Sequence, residues 1–206
     1  DGGQRTITLQ REAIVIGGAS SRLAGDLGVI RITSFSRHTP EAVRDAVAYL
    51  SRAGATGLCL DLRNSLGGPV PKAREVAELF AAAPATLYIS RMNGKDTLVR
   101  AAQPAATDLP LAILIDAGTR DGSELLAGAL RNAGRATLIG SSTPGALEIL
   151  RPAPNAQGRM VVRKVGGYRF PALNRTGTDG IAPDVPVEAD ADDATLLDAA
   201  RDALSR

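Results

Sequence analysis

Apolar positions along the chain fall in short blocks whose spacing alternates between strand-like and helix-like. Within Arg5–Leu9, Thr6-Ile7-Thr8-Leu9 alternates polar and apolar residues, the period of a half-buried strand. Gly28–Phe35 reads as a second strand. Thr39-Pro40-Glu41 then opens a helix, with Thr39 as its N-cap and Pro40 at the first helical position, where a missing N–H costs nothing. Val43, Ala46, Val47 and Leu50 form its apolar stripe, and Gly54 ends it. Leu58–Leu62 is almost wholly apolar between turn residues, which suits a strand buried on both faces of a parallel sheet. The pattern repeats. A helix from Pro71 carries Ala73, Val76, Ala77 and Phe80 on one face, and strands follow at Thr86–Ser90 and Leu109–Asp116. A helix over Ser123–Ala133 is closed by Gly134, and Ala136–Gly140 is again a strand. This alternation predicts an α/β fold with a mostly parallel sheet and flanking helices. Pro144–Pro171 departs from it, with short β segments and turns that make a small β-rich C-terminal part. Asp192 or Asp193 caps a last amphipathic helix ending near Leu204.

Composition narrows the reading without changing it. The 206 residues suffice for one domain with a substantial core. Aromatic residues are 3% with no Trp, so Leu, Val, Ile and Ala must fill that core. No run of about 18 apolar residues occurs, so no membrane span is expected in this chain. No signal peptide is visible and the chain starts mid-pattern at Asp1-Gly2-Gly3, which suggests a fragment or a processed product. A net charge of +2, evenly spread, gives no footprint for nucleic acid. The one cysteine, Cys59, lies in the apolar run Gly57-Leu58-Cys59-Leu60, which predicts a packing role rather than a reactive one. No cofactor or metal is expected.

Candidate chemistry begins at Asn64-Ser65-Leu66-Gly67-Gly68, between a strand and a helix. Adjacent glycines there let the backbone approach a ligand and point N–H groups at an oxyanion or a peptide carbonyl. A tight strand-to-helix turn with no ligand fits the same residues.

The run Asp61-Leu62-Arg63-Asn64, two variable positions, then Gly67-Gly68 resembles the first active-site block of the S41 peptidases. These are the C-terminal processing, or tail-specific, proteases, which use a Ser/Lys dyad. Leu27-Gly28-Val29-Ile30-Arg31-Ile32-Thr33-Ser34-Phe35 is similar to their opening strand, and Gly180-Ile181-Ala182-Pro183-Asp184-Val185 to their closing motif. Ser123-Glu124-Leu125-Leu126-Ala127-Gly128-Ala129-Leu130, with Gly134-Arg135-Ala136, is similar to their catalytic helix and the strand after it. The blocks keep order and spacing from about Arg5 to Val187. The resemblance implies the S41 core, related in layout to ClpP/crotonase-like folds, over 13–206, and the last strand of an otherwise missing PDZ domain over 1–12. It also implies an extracytoplasmic setting, periplasmic in a bacterium.

The resemblance breaks at the reacting groups. The nucleophile position, two before Ser123, holds Asp121. The lysine of the family's Thr-x-Gly-Lys motif is replaced in Thr143-Pro144-Gly145-Ala146 by Ala146. An acidic residue of some members falls on Asn132, and a glutamine beyond the lysine falls on Leu150. A serine dyad needs a hydroxyl and a neutral amine within hydrogen-bond reach, and neither is supplied here. Asp121-Gly122-Ser123-Glu124 has instead the form of a capping box, so Asp121 is expected to cap the helix and to lie beside the Gly122 N–H. Ser123 is the fallback nucleophile. Thr119, Ser141 and Ser142 lie near these blocks, but no base is evident for any of them. His38 reads as a loop residue and Lys72 as a surface lysine. Asp116 is the one acid close enough in sequence to pair with Asp121.

Three functions follow. One is a degenerate peptidase whose retained groove (Gly67, Gly68, Gly122, Thr143, Gly145) binds polypeptide chain ends or a protein partner. The second is an active hydrolase with a rewired site. The third is a regulatory subunit of an active homologue. A homo-oligomer is compatible with each.

Overall fold

The computed structural model describes residues 18–173, 175–176 and 179–205. The expected strand at Arg5–Leu9, and with it the 1–12 segment, lies outside them. The main sheet has the order β1-β2-β3-β6-β7-β11, with β1 Ala19–Ala24, β2 Leu27–Ile32, β3 Gly57–Asp61, β6 Leu111–Ile115, β7 Thr137–Gly140 and β11 Val185–Pro186. β1 pairs antiparallel with β2, and every other pairing in this sheet is parallel. β3 and β6 are buried at every position, as their unbroken apolar runs require.

Period-two alternation divides the core between two layers. Leu58 and Leu60 face one side with α1 Thr39–Arg52, α2 Val70–Phe80 and α3 Asp121–Asn132. Cys59, Ala112, Leu114 and Ile139 face the other, covered by Leu196, Leu197 and Ala200 of α4 Asp193–Leu204. Burial pushes the Cys59 thiol up to about 12, so it is a packed apolar group, as its neighbours in sequence imply. Asp192 caps α4, its carboxylate accepting the Thr195 N–H at 2.8 Å.

Five features differ from the sequence reading. β1 was not evident because its residues are largely exposed and polar. A second, antiparallel sheet takes up β4 Thr86–Met92, which the alternating pattern had placed in the parallel one; its order is β10-β9-β4-β5, with β8 added on β9. Here β5 is Lys95–Arg100, β8 Glu148–Pro154, β9 Met160–Phe170 and β10 Arg175–Thr176. β5, a solvent-facing strand, was also not foreseen, and β8 and β9 are longer than the short segments expected. Finally, His38, not Thr39, precedes the first turn of α1. Thr39 is fully buried, and its hydroxyl accepts the Ser36 N–H at 2.9 Å, tying down the preceding loop.

Candidate active-site turn

The loops leaving β3, β6 and β7 converge at the carboxyl ends of three adjacent parallel strands, where open α/β sheets build their sites. A cavity of about 560 Å³, lined by Pro110, Arg131, Arg135 and Leu204 among others, sits at the opposite strand ends. The loop after β3 is held by charge and hydrogen bonds. Asp61, at its start, binds Arg31 at 2.5 Å and Arg63 at 2.8 Å, and Arg63 also reaches Asp193 of α4 at 2.8 Å. Burial alone would raise the Asp61 carboxyl, but the hydrogen bonds and charges of Arg63 and Arg31 outweigh it and hold the group below its ordinary range. Asp116, after β6, accepts the N–H groups of Asn64 at 2.9 Å and Gly118 at 2.9 Å. Thr119 donates to the Leu62 carbonyl at 2.9 Å. The β3 and β6 loops therefore form one body, and Asp116 acts as its clasp, not as a second acid for Asp121.

Within that body the backbone of the glycine turn lies against the start of α3. Gly67 has φ +74°, and a Cβ built there would meet the Arg120 carbonyl oxygen, with Asp121 Cβ at 2.6 Å and the Gly122 nitrogen at 2.9 Å. Only glycine fits this approach. Its own carbonyl is turned away, accepting the Phe35 N–H at 2.7 Å. The N–H groups of Gly67, Gly68 and Gly122 make no hydrogen bond among the described residues. They are backbone donors grouped beside position 121, which is the arrangement that receives a carbonyl or oxyanion.

Asp121 does not cap the helix. The residue before the first turn is Arg120, and neither it nor Asp121 contributes a side-chain cap bond. Asp121 has φ +47°, the left-handed region that aspartate tolerates better than most residues, and its exposed carboxylate makes no hydrogen bond or ion pair among the described residues. The capping-box spacing fails for the same reason: Glu124 turns away from the helix start.

Glu124 is fully buried and points to the loop after β7. It accepts the hydroxyl of Thr143, the Gly145 N–H at 2.8 Å and the Ala146 N–H at 2.8 Å. Burial pushes its carboxyl above the ordinary range and the nearby Asp121 charge adds to this, while the three hydrogen bonds pull the other way. Thr143 also accepts the Ile181 N–H at 2.8 Å, which joins the closing motif to the same turn. Glu124 thus fixes the segment that carries position 146. Sequence reasoning noted Glu124 only as a capping partner; its place in the family-like Ser-Glu pair was the signal available.

Ser123, the fallback nucleophile, is fully buried and shares a 2.6 Å hydrogen bond with the buried Ser65 hydroxyl. Its hydroxyl is therefore engaged in the buried junction between α3 and the loop after β3, not free at the surface beside Asp121. Asn132 bridges the Thr86 carbonyl at 2.9 Å and the Ala172 N–H at 2.8 Å, a staple between α3 and the second sheet. Leu150 is exposed on β8. Lys72 is paired with Glu75 at 2.6 Å, one turn along α2. His38 is partly exposed and accepts from Arg37 at 2.8 Å. Among the described residues no group of three or more metal-ligating side chains occurs, and no helix is long and apolar enough to cross a membrane.

Unbonded backbone donors beside a left-handed residue at a helix start, at the carboxyl ends of parallel strands, form a place that can receive a carbonyl oxygen. Residues 26–187 match the profile of peptidase family S41, and the chain belongs to that family. It is 35% identical over 168 residues to the carboxyl-terminal-processing protease of Synechocystis sp., covering 82% of this chain and 39% of that protein. It is 30% identical over 194 residues to carboxyl-terminal-processing peptidase 2, chloroplastic, of Arabidopsis thaliana, covering 89% and 38%. The chain thus spans about two fifths of the length of these relatives. The photosystem II D1 C-terminal processing protease superposes with a TM-score of 0.72 at 26% identity, over 91% of this chain and 53% of that one. A peptidase-like protein of Parabacteroides merdae shares the fold, with a TM-score of 0.75 at 18% identity over 94% and 66%.

Proposed function

We propose that this chain is an S41 core that has lost family-type peptidase activity and kept a groove for extended polypeptide. The observation that carries the proposal is the pairing of retained and lost parts. Gly67, Gly68 and Gly122 still present donors beside position 121. That position holds a carboxylate, and the anchored turn at Thr143–Ala146 holds a methyl group where family members carry an amine. Aspartate is a poor acyl nucleophile at a peptide carbonyl, and its charge opposes an oxyanion forming beside it. Main-chain hydrogen bonding to an extended peptide needs neither reacting group, so binding survives their loss. An extracytoplasmic setting, including the periplasm, belongs to the same proposal.

The test has two arms. A fluorophosphonate probe labels only an activated serine, and the expected result is no labelling of this chain under conditions that label an active family member. An unstructured, tailed polypeptide is expected to bind without being cut. Cleavage that disappears in Ser123→Ala is the result that favours the rewired hydrolase. The burial of Ser123 and its bond to Ser65 speak against that reading.

A further inference from the structure

The surface around Asp121 carries negative charge with no paired cation among the described residues. Asp121 is exposed and unpaired among the described residues, and Glu124 lies buried behind it with its oxygens already engaged by Thr143, Gly145 and Ala146. Among the described residues no side-chain cation pairs with either. Lys72 is spent on Glu75, and the side chain of Arg120, although adjacent in sequence, forms no ion pair with Asp121. Ala146 is exposed and carries only a methyl group, at the position where the family resemblance places a lysine, so no basic side chain is offered there. The backbone donors of Gly67, Gly68 and Gly122 suit a neutral peptide carbonyl, because a second carboxylate would meet Asp121 at short range as a like charge.

We propose that the ligand of this cleft is an internal, extended polypeptide segment bearing a lysine or arginine, whose side-chain cation lies between Asp121 and the Gly145-Ala146 turn, and that a free C-terminal carboxylate is rejected. The inference rests on the peptide-groove reading above and adds to it the class of residue selected. The ligand supplies in trans the positive charge that the chain lacks. The site is open to water, so the preference is modest: an ion pair of this kind corresponds to a contrast of about fivefold in affinity, reduced by salt.

Fluorescence anisotropy with the full chain tests it. Four labelled peptides share one apolar, extended sequence with both ends blocked and differ only at a central lysine, arginine, norleucine or glutamate. A fifth carries norleucine and a free C-terminal carboxylate. Lysine and arginine peptides are expected to bind about fivefold tighter than norleucine at low salt, with glutamate and the free carboxylate weakest. The contrast shrinks in about 0.5 M salt. In Asp121→Asn, which keeps a residue able to hold φ near +47°, the lysine-to-norleucine ratio falls towards one. Ala146→Lys, which gives the cleft its own cation, does the same. Equal binding of lysine, norleucine and glutamate peptides overturns the charge preference and leaves the groove reading standing. A lysine preference that persists in Asp121→Asn overturns the assignment to Asp121. Binding of none of the peptides overturns both.

Discussion

Glu124 reaches out of helix α3 to hold the backbone N–H of Ala146 at 2.8 Å, so Ala146 is positioned by the helix that Asp121 begins. The same carboxylate holds Gly145 and Thr143. The start of α3 and the turn at Thr143–Ala146 are thereby locked together.

Replacing Glu124 by Ala removes the acceptor for two backbone N–H groups and one buried hydroxyl. Lost hydrogen bonds and the small cavity together cost about 2–4 kcal/mol, read from the midpoint of urea unfolding. Amide exchange at Gly145 and Ala146 should accelerate by at least about tenfold while exchange in β3 and β6 follows global stability. Unchanged exchange at these two amides would show that the turn stands without Glu124.

Gly67→Ala places a methyl group against the Arg120 carbonyl and within 2.6 Å of Asp121 Cβ, in a backbone conformation alanine disfavours. The expected cost is about 1–3 kcal/mol in stability. Affinity for an extended peptide should fall with it, because the turn must move away from α3. Gly54→Ala is the control: its φ is also positive, +87°, but nothing lies within 4 Å of the added methyl, so only the backbone term remains.

Asp61 links stability to acid. Its carboxyl is held below the ordinary range by Arg63 and Arg31, so its contribution is present above the unfolded value of 3.8 and is lost as pH falls through the folded value. Asp61→Asn should therefore cost about 2 kcal/mol at neutral pH, and the gap from wild type should narrow as pH drops below 3.8. Chemical unfolding of both proteins at neutral and acid pH measures it. A gap that stays constant with pH would remove Asp61 from the acid-linked groups.

Asp121→Ser with Ala146→Lys restores a hydroxyl and an amine to a framework already held by Gly67 and Glu124. A dyad base must act as a neutral amine, and position 146 is exposed, so the expected gain is small. Weak labelling by a fluorophosphonate is expected in the double variant and in neither single one. A folded double variant that stays unlabelled means that the cleft has diverged beyond these two positions, with Pro144 and Leu150 the first places to look.

The amino-acid sequence by itself determined the layered α/β core, its four helices and the glycine turn. These follow from local period, from turn residues and from motif spacing, all of which are short-range signals. It could not say that Thr86–Met92 leaves the parallel sheet, because a strand's period reports its faces and not its partner. It missed Ala19–Ala24 and Lys95–Arg100, whose exposed polar residues carry little pattern. At the site it suggested that Asp121 and Glu124 form a local cap, as a three-residue spacing invites. Tertiary structure decided otherwise. The close approach of Gly67 goes with a left-handed Asp121, and the unpaired N–H groups of a turn 21 and 22 residues away draw Glu124 out of the helix start. A buried carboxylate goes where the most donors converge, and that point exists only once the three loops have been brought together.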